Sequence, residues 1–174
     1  MDTMELLIHP VRVRILHALF DGVTRTTSEL CERLPDISKA TVYRQVSLLA
    51  EAGVLEVADE HRVRGAVERY YRLRRSQARI DAEAAARMTL EDHRQGFAAA
   101  VAALVAEFSS YLDRPGASPT ADSVGYRQIP LWLSREELEH LVRSTSDLIA
   151  GQIGNEPHRD RRRYLLSPIL FPIE

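Results

Sequence analysis

The sequence predicts an α+β protein, mostly helical: an N-terminal helix-turn-helix with a β-hairpin, then a long helix and a small strand–helix–strand unit. Three observations predict it. Residues 26–53 hold two helix-forming stretches separated by Pro35-Asp36 and closed by Gly53. Two strand-like runs follow, at 54–57 and 68–73, around a polar segment that ends in Gly65. From residue 89 to 113, apolar side chains recur at alternating steps of four and three, the period of a helix face.

The first element is a helix over residues 6–20. Pro10 suits an early helical position, where a missing N–H costs nothing. Val11, Ile15, Leu16, Leu19 and Phe20 form its inward stripe, with Arg12 and Arg14 pointing elsewhere, and Asp21-Gly22 ends it. His9 and His17 read as capping or packing residues.

Thr27 and Ser28 then open a short helix that carries Leu30 inward, and Ser38 stands at the N-cap of a second helix, 38–52. Val42, Val46 and Leu49 share one face of that helix. The opposite face has Ala40, Arg44 and Ser47, with Thr41 and Tyr43 on its shoulders and no acid before Glu51. A helix that enters the DNA major groove needs small, hydrogen-bonding and cationic side chains near its N-terminus. Double-stranded DNA is therefore the expected partner, through Ser38, Lys39, Ala40, Thr41, Tyr43, Arg44 and Ser47. Arg44 is the candidate for a guanine edge, and Lys39, Thr41 and Tyr43 are candidates for phosphate. The alternative is an ordinary core helix with a solvated outer face; its place between a capped helix and a hairpin favours DNA reading.

A hairpin directly after such a helix is a wing. Arg62, Arg64 and Arg69, with His61, are placed to reach phosphates or a minor groove, against simple solvation of the hairpin. Residues 1–79 are expected to form this DNA-binding domain, and 80–174 a C-terminal dimerisation and possible effector domain.

In the second half, Thr89-Leu90-Glu91-Asp92 resembles a capping box, with Asp in place of the usual Glu. Phe97, Val101, Leu104, Phe108 and Tyr111 form a stripe, either core or the seam of a homodimer. Alanines on the other face would permit close packing against another helix. Strands are expected at 126–133 and 163–171. Between them lies a helix begun by the capping box Ser134-Arg135-Glu136-Glu137, with Leu138, Leu141, Val142, Thr145, Leu148 and Ile149 on one side. Trp132, Tyr126 and Phe171 could line a pocket for a small effector, though plain core is the simpler reading.

Composition limits the other classes. Net charge is −2 over 174 residues, but residues 1–79 carry 13 Lys/Arg against 11 Asp/Glu, and residues 80–174 carry 10 against 14. The single cysteine, Cys31, excludes an intramolecular disulfide and fits a reducing compartment. No apolar run approaches the ~18 residues of a membrane span, and no signal-like start is present, so a cytoplasmic location without a membrane partner is expected. Phosphate-loop, nucleophile-elbow and paired-metal patterns are absent, so neither an enzyme nor a cofactor is expected.

Three fragments together resemble a known family: Leu7-x-His9-Pro10-x-Arg12-x-x-Ile15-Leu16, Thr41-Val42-Tyr43-Arg44, and Leu49-x-x-Ala52-Gly53-Val54-Leu55. Over roughly residues 5–75 they are similar to the winged helix-turn-helix of ArsR-type bacterial regulators. The resemblance implies a dimeric cytoplasmic regulator that binds a partly palindromic operator, most simply a repressor. One departure concerns sensing. Arsenic-sensing members have Glu-Leu-Cys-x-Cys, whereas Glu29-Leu30-Cys31-Glu32-Arg33 places Arg33 at the second cysteine. A lone thiol beside a cation is a poor soft-metal site. A protein-interaction module, or a regulator whose C-terminal domain binds a small molecule, remain the alternatives.

Overall fold

In the computed structural model, helix α1 (Pro10–Leu19) starts on its proline, with His9 at the N-cap in an extended conformation. The structure describes residues 6, 8–63, 65–78 and 82–173, so Arg64 and the expected boundary at 79/80 lie outside the described residues. Ile15, Leu16 and Leu19 are buried as expected, but so are Arg12 and Arg14, while Phe20 is exposed. The expected orientation of the arginines is thus corrected. α1 is packed on more than one side, so positions outside its apolar stripe are covered too.

A two-residue strand, β1 (Arg25–Thr26), leads into α2 (Thr27–Arg33). Thr26 caps α2 through a full capping box: its hydroxyl accepts the Glu29 N–H at 3.2 Å, and the Glu29 carboxylate accepts the Thr26 N–H at 2.7 Å. Thr26→Ala is expected to lower stability by about 0.5–2 kcal/mol, measured as a fall in thermal midpoint. The turn closes with the Ile37 N–H on the Leu34 carbonyl at 3.0 Å and leads to α3 (Lys39–Glu51). Gly53, at φ +74, then redirects the chain as only glycine does without strain.

Strands β2 (Leu55–Val63) and β3 (Ala66–Leu73) form the hairpin, and β1 adds to β3, giving the sheet order β1-β3-β2, all antiparallel. The hairpin is longer than the sequence suggested. Asp59–Arg62, expected in the polar connection, pair with β3, with Glu60 opposite Arg69 and His61 opposite Glu68. A register irregularity between Val57 and Asp59 accommodates them, and Gly65, at φ +87, makes the tip. Ile15, Leu19, Leu30, Val42, Val46, Leu49, Val54, Leu55, Tyr71 and Leu73 form one core beneath this sheet and the three helices.

A short helix α4 (Ala82–Arg87), not foreseen, precedes α5 (Leu90–Leu112), which Thr89 and Asp92 cap as anticipated. α5 packs along α1, and its buried residues are the small ones, Ala99 and Ala103. Gly96 lies against Ile8, whose carbons stand 3.8 Å from where a Cβ would be. Small residues on this face let the two backbones approach. With 23 residues, α5 is also long and apolar enough, by length and composition alone, to cross a membrane, which corrects the reading that no such run exists.

The chain divides into two compact units, Met1–Arg114 and Pro115–Glu174. The division falls after α5, because α5 packs on α1. Within the second unit, α6 (Arg135–Ile153) begins at the expected capping box of Ser134 and Glu137. The strands expected at 126–133 and 163–171 do not form: both segments lack any ladder. Pro130, Pro168 and Pro172 remove backbone donors within or beside them, which works against pairing. None of the described residues of this unit is buried.

Candidate nucleic-acid interface

The N-terminus of α3 is built by two hydroxyls. Ser38 Oγ accepts the Thr41 N–H at 3.2 Å and shares a hydrogen bond with Thr41 Oγ1 at 2.9 Å. With no acid in the first turn, the positive end of the helix is left uncompensated and open to an anion. Val42, Val46 and Leu49 anchor the inner face, each at most 1% exposed. Lys39, Ala40, Tyr43, Arg44 and Ser47 are exposed on the outer side, and Thr41 is half-buried. The candidate residues of this helix thus share one end and one face.

Arg44 makes no ion pair among the described residues, so its guanidinium is available to a ligand. Its charge is felt by His9, whose pKa lies below the ordinary histidine value because of burial first, then Arg12, then Arg44. His9 Nδ1 is buried without a hydrogen-bond partner. Sequence spacing alone gave no sign that the start of α1 approaches the outer face of α3. Gln45, on the inner face, is also buried, and its side-chain carbonyl lacks a partner.

The wing is less basic in effect than its arginines suggested. Arg69 Nε donates to Glu60 at 2.8 Å, and Glu56 accepts from both Arg72 and Arg74. His61 meets Asp59 at 2.9 Å and packs edge-on against Tyr70. Arg62 is exposed and has no ion pair among the described residues, which makes it the better-placed wing cation of the two described. Cross-strand registry explains the difference: Glu60 sits directly opposite Arg69, whereas Arg62 sits opposite Val67.

At the turn before α3 lies an ion pair that sequence spacing did not reveal. Arg14, with its side chain 4% exposed, donates Nη1 and Nη2 to the two carboxylate oxygens of Asp36 at 2.5 and 2.9 Å. Its Nε reaches Glu107 of α5 at 3.4 Å. The Arg14 guanidinium holds the Asp36 carboxyl below its usual range, chiefly by hydrogen bonding. A hint was present in the placement of an acid, Asp36, in the turn between two helices, but its partner lies 22 residues away.

Cys31 is buried, and that burial pushes its thiol pKa up, the opposite of what a thiolate ligand needs. Among the described residues, no cluster of three or more His, Cys, Asp or Glu is arranged to hold a metal. Trp132 is fully exposed and Tyr126 is 82% exposed, so these aromatics do not line an enclosed pocket in their unit.

A capped helix with an exposed polar face that carries no acid before Glu51, seated on two helices and followed by a hairpin, defines the helix-turn-helix class with a wing. Family comparison agrees: residues 7–58 match a family described as a helix-turn-helix domain, the kind of domain that suggests a DNA-binding regulator. The matched span covers α1 to the start of β2 and so contains the whole of α3. No match was found among curated proteins.

Proposed function

We propose that the chain is a cytoplasmic, homodimeric transcriptional repressor of the ArsR type, which occupies a partly palindromic operator. The observation that carries this reading is the outer face of α3, where Arg44 stands exposed beside Ala40, Tyr43 and Ser47, with no ion pair among the described residues. In this reading Arg44 contacts a base edge in the major groove. Ser38, Lys39, Thr41 and Tyr43 position the helix on phosphate, Arg62 and Arg64 carry the wing contact, and Arg69 contributes little while paired with Glu60. Dimerisation through α5 is supported by its exposed apolar residues, among them Phe97, Val105 and Leu112.

Arg44→Ala is expected to weaken operator binding by about 1–3 kcal/mol and to relax sequence preference, while binding to random DNA changes little. Equal losses on operator and random DNA in a competition assay would reduce Arg44 to a phosphate contact. The ion-paired wing favours one second reading, a winged helix that docks a protein. Affinity for DNA that falls steeply with salt selects the regulator; salt-insensitive binding to a protein, with no DNA binding, selects the module.

A further inference from the structure

Arg14 is a cation almost wholly removed from water, yet it belongs neither to the apolar core nor to the reading face. Three segments meet on it. It lies on α1, grips Asp36 in the helix-turn-helix turn with both terminal nitrogens, and reaches Glu107 of α5 with its remaining Nε. Asp36 stands two residues before Ser38, the N-cap that fixes where α3 begins. A bidentate fork constrains the plane of the carboxylate as well as its distance, so it constrains the backbone that enters α3. Glu107 and Asp36 draw on one guanidinium. A shift of α5 that strengthens one contact therefore loosens or tilts the other.

We infer that Arg14 is a positioning residue that couples α5 to the angle at which α3 meets DNA. This rests on the DNA-reading function proposed above and adds a regulatory path to it. α5 is the helix whose exposed apolar face is assigned to the second copy of the chain, so dimer contact and DNA reading would share one relay. The Arg14–Glu107 contact spans 93 residues of sequence and joins α5 to α1, the first helix of the helix-turn-helix domain.

The test is a double-mutant cycle in the full chain: wild type, Asp36→Asn, Glu107→Gln and both together. Affinities for a selected operator and for random DNA are measured well below each variant's melting midpoint, with circular dichroism confirming the folded state. Glu107→Gln is the variant least able to disturb folding, since it is isosteric and weakens only one 3.4 Å contact, whereas Asp36 accepts from both terminal nitrogens. It is expected to lower the operator-to-random ratio about threefold or more. The two substitutions should also be non-additive on that ratio by a similar factor. A structural role alone would move melting midpoints and leave the ratio of folded protein unchanged. An unchanged ratio in Glu107→Gln, or strictly additive effects, overturns the coupling while leaving the DNA-reading function standing. A wild-type chain that enriches no DNA sequence overturns that function, and the coupling with it.

Discussion

Asp36→Ala is expected to destabilise the protein by about 3 kcal/mol, the low end of the range for breaking a buried ion pair. The variant leaves the Arg14 guanidinium out of water with only the 3.4 Å contact to Glu107. The low end applies because Asp36 is itself half exposed, so water can approach the vacated side. Arg14→Met should cost much less. It removes the buried charge and keeps much of the volume, and the two acids it frees lie closer to solvent than the arginine did. Urea unfolding of the two variants tests this order; an Arg14→Met loss larger than that of Asp36→Ala would contradict it. The pH dependence has a definite sign. Arg14 depresses the Asp36 pKa in the folded state, so the pair's contribution is present above the ordinary carboxylate range and is lost as pH falls through the lowered value. Asp36→Asn should therefore flatten the acid limb of the stability curve and leave the neutral region parallel to wild type.

Breaking the proposed dimer is expected to have the largest effect on function. Two half-site contacts held by one dimer gain about 10²–10⁴ in affinity over one, and a monomer forfeits that factor. Val105→Glu with Leu112→Glu places charges on two exposed apolar positions of α5, where the monomer fold has little to lose. Sedimentation should show a monomer, with operator affinity reduced by about that factor. Truncation after residue 80 should do the same, but it also uncovers α1, so the charge variants are the cleaner comparison. An intact dimer in both cases would move the interface off α5.

The helix-turn-helix was legible because its signals are local. Ser38 before a helical run, Gly53 after it, and the Val42, Val46 and Leu49 stripe each act within a few residues. The capping boxes at Thr89 and Ser134 were equally readable. What escaped depends on partners distant in sequence. Arg14 reads as a solvated position until Asp36 and Glu107 are brought to it, and Arg69 reads as a free cation until registry sets Glu60 opposite. β1 is too short to carry a period and exists through its pairing with Tyr70 and Tyr71. The two strands expected around α6 had the right residue types, but a strand needs a ladder, and Pro130 and Pro168 oppose one. Among the candidate DNA contacts, those on α3 are gathered as helical spacing implied, while those on the wing were sorted by cross-strand pairing that spacing does not encode.

Selection of random duplex DNA by the 174-residue chain is the decisive measurement for the proposed DNA-reading function. The expected result is enrichment of an inverted repeat whose half-site centres lie about 34 Å apart, one turn of duplex, with the logarithm of affinity falling linearly with the logarithm of salt concentration. Recovery of no preferred sequence, together with DNA binding that is absent or indifferent to salt, would contradict it.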